Sequence, residues 1–213
     1  MSTIAVFLHH PFCSKDCVDA MVVALSPKHN IKTFSEKELD SVEFFSDIDI
    51  IAFPGGVGDS DSFHDFFTRT RANRIADFLV RGGYYLGICM GGYWAGSRYF
   101  DILHDVDTTQ YIKRPTADIK RSYETVASIV WENEKEQMYF YDGTTFVGDN
   151  TKYKTIATYS NGDPMAIIQN NVGLIGCHPE SVQSWFDKPY IKDKWHQGRH
   201  HSLLSNFVDQ LIL

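Results

Sequence analysis

Residues 84–96, "YYLGICMGGYWAG", constrain the fold more than any other stretch of the chain. A short apolar run rich in β-formers meets a cysteine flanked by glycines, and small residues follow it. Glycines at these positions suit a strand that breaks sharply into a helix, because strand and helix can then approach closely around a strained central residue. Strand, turn and helix in that order form the repeating unit of a parallel α/β sheet.

The rest of the chain fits that unit. "TIAVFL" (3–8) reads as a buried strand, and "DCVDAMVVAL" (16–25) has helical spacing with Asp16 as its cap. "NIKTF" (30–34) and residues 48–53 are further strands, the second ending in the turn "PGG". "TRANRIADFLVR" (70–81) places Ile75, Phe78 and Leu79 on one helical face and stops at Gly82-Gly83. "YYLGI" (84–88) is the next strand, and a helix over 91–99 is expected after it. Beyond residue 125 short strands joined by tight turns take over, with Asn161-Gly162 the clearest hairpin signal. An amphipathic helix is expected over 201–212. The pattern predicts one domain spanning 1–213: a mostly parallel sheet with helices on both faces and an antiparallel β extension in the C-terminal half.

Composition narrows the function. At 213 residues and 43% hydrophobic content, the chain can bury one sizeable core. With 20 basic and 27 acidic side chains the formal charge is −7, and no Lys/Arg run tracks phosphates, so nucleic acid is not an expected partner. Apolar runs such as "MVVAL" and "DIIAF" are too short to span a bilayer, so no membrane is expected. The opening "MSTIAVFLHHPFC" reads as a first strand rather than a signal peptide. Four cysteines suggest no disulfide scaffold, and a reducing cytoplasm is the expected compartment.

Gly87-Ile88-Cys89-Met90-Gly91 is a nucleophile elbow in its required context. A helix amino terminus beneath the sulfur would favour the reactive thiolate, and the Met90 amide would point at an oxygen gaining charge. The plainer alternative is a buried cysteine at a glycine-rich strand end. A partner base is offered by "GLIGCHPES" (173–181). There His178 and Glu180 project to one side of an extended chain, so the carboxylate can orient the imidazole. Pro179 stiffens the pair and suits a strand end that opens into a site.

Together "FPGG" (53–56), "RGGYYLGICMGGYWAG" (81–96), "YFYDGTTF" (139–146) and "GLIGCHPE" (173–180) resemble the class I glutamine amidotransferase-like superfamily. Within it the chain looks most like the glutamine amidotransferase-like domain at the amino terminus of biotin–protein ligases. The resemblance implies a flavodoxin-like fold and a Cys-His-Glu triad: Cys89 as nucleophile, His178 as general base and then acid, Glu180 as orienting carboxylate. It also implies an oxyanion hole from the amides of Gly56 and Met90. Gly55, Tyr93 and His10 complete the expected substrate wall.

One departure stands out. Glutamine-hydrolysing members usually carry Gln four residues after the nucleophile, and this chain has Tyr93 there. A phenol cannot supply a primary amide's separate donor and acceptor. The expected activity is amide C–N hydrolysis through a thioester, on glutamine or another small amide, with no metal or cofactor. Any ammonia-accepting enzyme would be a separate polypeptide. A non-catalytic binding domain on the same scaffold and a thiol peptidase-like hydrolase are the alternatives.

Other motifs read more plainly. "HHPFCSKDC" (9–17) has a C-x3-C spacing that zinc tolerates but no second pair, so it reads as a loop leading into a helix. That loop should lie at the strands' carboxyl ends, where His10, Cys13 or Ser14 can line a pocket. Cys177 reads as packing, "ENEKE" (132–136) as a solvated hairpin tip and "WHQGRHH" (195–201) as a loop. The aromatics of "YFYDGTTF" read as core.

Overall fold

A computed structural model describes residues 1–41, 43–57 and 60–213. The strands are β1 (Thr3–Phe7), β2 (Asn30–Phe34), β3 (Ile50–Phe53), β4 (Tyr84–Ile88), β5 (Val106–Gln110) and β6 (Thr125–Trp131). They continue as β7 (Glu134–Phe140), β8 (Thr144–Gly148), β9 (Lys154–Tyr159), β10 (Pro164–Gln169) and β11 (Val172–Ile175). The helices are α1 (Lys15–Leu25), α2 (Glu36–Leu39), α3 (Ser60–Phe66), α4 (Arg69–Val80), α5 (Met90–Tyr93) and α6 (Arg199–Leu211).

Nine strands form one sheet in the order β2-β1-β3-β4-β11-β10-β9-β6-β7, and β5 pairs with β8 alongside it. The first five positions are parallel, and from β11 to β7 every pairing is antiparallel. The expected flavodoxin-like, mostly parallel core with an antiparallel extension is the observed architecture.

Alternation along the strands explains why both faces are covered. In the parallel register Tyr85 sits opposite Val172 and Leu86 opposite Gly173, so Tyr85 and Gly173 face opposite sides. On the Tyr85 side its ring stacks on Phe53 at 5.1 Å, and Phe53 meets Phe7, Phe67 and Trp94. On the other side α6 lies over β11, since a side chain at Gly173 would run into Phe207 and Leu211. Burial of Leu204, Phe207, Val208 and Leu211, at i, i+3, i+4 and i+7, makes that helix amphipathic as expected. Each such side chain, fully buried, contributes roughly 1.5–3 kcal/mol.

The stop signal after α4 works as its sequence implies. Gly82 takes a left-handed φ of 92°, and the Gly83 amide bonds back to the Phe78 carbonyl at 3.0 Å. The Asn161-Gly162 turn joins β9 to β10, with Gly162 at φ 88°. Asp16 does not cap α1: Ser14 is the N-cap, and Asp16 lies inside the first turn.

The helix expected over 91–99 is a single turn, Met90–Tyr93. Asp107 of β5 takes the Ser97 amide at 3.0 Å and the Ser97 hydroxyl at 2.6 Å, and the Phe100 amide bonds back to the Trp94 carbonyl at 2.9 Å. Those partners outcompete helical hydrogen bonds and turn the chain. Nor is "ENEKE" wholly solvated. Glu132 and Asn133 form the turn, but Glu136 is buried between Arg199 and His200. In "WHQGRHH", His196 and His200 stack at 3.9 Å inside the protein.

Candidate active site

Two neighbouring parallel strands deliver the key side chains to one rim. β4 runs straight into Cys89, whose φ of 52° and ψ of −105° put a non-glycine residue in strained backbone. The Cys89 amide is pinned to the Ile175 carbonyl at the end of β11, at 2.9 Å. Three residues beyond that carbonyl stands His178, whose own amide is held by the Tyr139 carbonyl at 2.9 Å.

The sharp turn depends on Gly91. A Cβ there would lie 2.1 Å from the Phe53 carbonyl oxygen, so no other residue lets α5 sit this close to β3. Because α5 is one turn long, its dipole adds little at Cys89. The charged neighbour of the sulfur is His178, which interacts with Cys89 by charge and hydrogen bond.

His178 donates from Nδ1 to Glu180 Oε1 at 2.8 Å, since a carboxylate can only accept. Both groups are buried, and Tyr139 and Trp185 wall the imidazole edge-on at 5.9 and 5.5 Å. Burial alone would lower the His178 pKa, but the charges of Glu180 and Cys89 and hydrogen bonds to both lift it to about 10. With Nδ1 on Glu180, Nε2 is the nitrogen left for Cys89. The Cys89 thiol also faces the Asp142 carbonyl, at 3.9 Å.

Cys89 is only 7% exposed, yet it opens onto a cavity of about 770 Å³. Gly56, Met90, Tyr93, Arg98, Lys113 and Asp142 are among the lining residues. Gly56 belongs to a turn bridged to Cys13, with Val57 N donating to Phe12 O at 2.8 Å. Met90 opens α5, so its amide has no intrahelical acceptor. Gly56 neighbours Met90, since a Cβ there would lie 2.9 Å from the Met90 sulfur.

The remaining expected substrate residues are placed differently. His10 is exposed and, like Cys13 and Ser14, is not part of the cavity lining. Gly55 is buried behind the imidazole, where a Cβ would meet His178 Cε1 at 2.7 Å. Tyr93 reaches the cavity, but its hydroxyl is spent on the carbonyls of Asp142 and Gly143, at 3.3 and 3.1 Å. It ties α5 to the β7–β8 loop instead of presenting a donor to a ligand. Of the "YFYDGTTF" aromatics, Tyr139, Phe140 and Phe146 are core as read, while Tyr141 is exposed at the cavity.

Two residues escaped sequence reasoning. Asp142 accepts from Gln110 Nε2 through Oδ2 at 2.9 Å, and its buried Oδ1 has no partner among the described residues. Cys17 offers its sulfur beside His178 and Glu180, with the ligand atoms of all three within 4.8 Å of one another. Its C-x3-C spacing was the available signal, but Cys13 turns away and donates to the Phe7 carbonyl at 3.3 Å.

The fold is one that solved glutamine amidotransferases share. PurLQS from Thermotoga maritima superposes with a TM-score of 0.66 at 18% identity, over 99% of this chain and 100% of that one. A second Thermotoga maritima protein, a glutamine amidotransferase, gives 0.68 at 10% identity, over 99% and 98%. A further glutamine amidotransferase gives 0.67 at 14% identity, over 99% of each chain. Residues 10–111 match the family described as biotin-protein ligase, N terminal. No curated protein matches the sequence. Among the described residues, no helix is long and apolar enough to cross a membrane.

Proposed function

We propose that the chain is a cysteine amidohydrolase of the glutamine amidotransferase-like type, and one observation carries the reading. An imidazole oriented by a buried carboxylate at 2.8 Å stands beside a cysteine held in strained backbone at the tip of the neighbouring strand. His178 takes the Cys89 proton, and the thiolate attacks the amide carbon. The amides of Gly56 and Met90 hold the resulting oxyanion. As the tetrahedral species collapses, the C–N bond breaks and the departing amine takes the proton from His178. Water, deprotonated by the same ring, then attacks the thioester, releasing the acid and restoring the thiol. Glu180 keeps the imidazole in one tautomer and supports its charged form.

The cavity favours an amino-acid amide such as glutamine. Arg98 and Lys113 suit a carboxylate, and the Asp142 carboxylate in the same lining suits an ammonium group. Ammonia released here would be consumed by a separate enzyme.

Ammonia release across a panel of primary amides tests the proposal. Turnover of at least one amide by the wild type, lost in Cys89→Ala and His178→Ala, supports it. No turnover of any amide, or turnover indifferent to Cys89, contradicts it.

A further inference from the structure

The C-x3-C stretch at the start of α1 serves no role in the proposed reaction, yet one of its cysteines reaches the triad from behind. Cys17 lies on the first turn of α1, and Gly55 is the window through which it approaches His178. A Cβ on Gly55 would sit 2.7 Å from His178 Cε1 and 2.9 Å from Cys17 Sγ. The Cys17 sulfur, a His178 ring nitrogen and a Glu180 oxygen all lie within 4.8 Å of one another. Glu180 is fully buried, and while Oε1 accepts from the imidazole, Oε2 has no hydrogen-bond partner among the described residues. An orphaned carboxylate oxygen in the interior is costly unless something positive meets it.

We propose that Cys17, His178 and Glu180 form a binding site for a thiophilic divalent cation, zinc foremost, whose occupation switches the triad off. The regulatory half of this statement rests on the amidohydrolase reading; the binding half does not. Thiolate, imidazole and carboxylate together are a zinc donor set, and three protein ligands leave a fourth position open. Zinc bonds of about 2.0–2.3 Å set ligand atoms roughly 3.3–3.8 Å apart, so side-chain shifts of about 1 Å close the site.

The proton inventory explains the inhibition. Binding breaks the Cys17 S–H bond, releases that proton to solvent and forms a sulfur–metal bond. The cation also displaces the Nδ1 proton to solvent, taking that lone pair and ending the hydrogen bond to Glu180, and the one remaining ring proton sits on Nε2. A ring held neutral by the metal on Nδ1 and protonated on Nε2 can accept no proton from Cys89 or water, and it is a far weaker donor to the departing amine than the imidazolium that Glu180 supports.

Titration of the purified chain with Co²⁺, displaced by Zn²⁺, reads the binding through thiolate-to-cobalt absorption. The wild type should develop that absorption stoichiometrically, and Cys17→Ala should lose it with at least a ~100-fold drop in Zn²⁺ affinity. Cys17→Ser, which keeps the size and a polar hydrogen, should lose it too, and circular dichroism verifies that both variants are folded. Cys89→Ala should keep the absorption. Absence of the absorption in the wild type, its persistence without Cys17, or its loss without Cys89 overturns the site. Because the absorption needs no turnover, a chain that hydrolyses no amide but binds cobalt through Cys17 leaves the site standing and the enzyme reading fallen. Where turnover exists, Zn²⁺ should abolish it in the wild type; full turnover at saturating Zn²⁺ overturns the switch.

Discussion

His178 and Glu180 stand two positions apart in the turn that follows β11, joined Nδ1 to Oε1 at 2.8 Å, with neither side chain more than 4% exposed. A contact this buried ties protonation to folding. Burial, the largest single influence, would depress the His178 pKa, but the charges of Glu180 and Cys89 and hydrogen bonds to both together outweigh it and lift the value from 6.5 to about 10. Between those values the folded chain holds a proton that the unfolded chain has lost. The stabilisation is therefore complete below pH 6.5 and is lost as pH rises toward 10. Glu180→Gln removes the largest raising cause, so its thermal midpoint should fall less steeply across that window than the wild type's. Parallel curves would contradict the pairing. The same variant should lower amide turnover by roughly 10²–10⁴-fold.

Gly91→Ala probes the elbow. The new Cβ would lie 2.1 Å from the Phe53 carbonyl, so backbone must move. Urea unfolding should show a loss of about 1–3 kcal/mol or more. An unchanged midpoint would mean that the close approach of α5 to β3 is not needed.

Tyr93→Phe separates a structural role from a substrate role. Its hydroxyl serves the Asp142 and Gly143 carbonyls, so the variant should lose about 1 kcal/mol of stability with little change in KM. A large rise in KM at unchanged stability would return Tyr93 to the substrate wall.

Asp142→Asn tests charge recognition in the cavity. Its carboxylate lines the cavity and suits an ammonium group, so KM for an amino-acid amide should rise about 10-fold or more with kcat little changed. Equal KM values would remove Asp142 from recognition.

Much of this was legible in the chain, because local rules fix it. The elbow needs only glycines around Cys89, and His178 and Glu180 are close in sequence, although a turn after β11 and not the extended alternation expected of them brings the two side chains together. What stayed hidden depends on distant partners. α5 ends where Asp107 captures Ser97, and no residue of 91–99 announces that contact. Glu136 looks solvated until Arg199 and His200 reach it from another element. Cys17 meets His178 only because β1 and β11 end at the same rim, with glycine at position 55 clearing the space. Tyr93 marked a departure from the family pattern, but the carbonyls its hydroxyl would choose could not be read from sequence.

The central claim is that Cys89, and no other thiol of the chain, is poised to attack a carbonyl or its mimic. Intact-protein mass after exposure to a glutamine-like electrophile, followed by peptide mapping, measures this directly. The account predicts one stoichiometric adduct, on Cys89, that disappears in Cys89→Ala and forms far more slowly in His178→Ala. No adduct at all, or one carried by Cys13, Cys17 or Cys177, would contradict it.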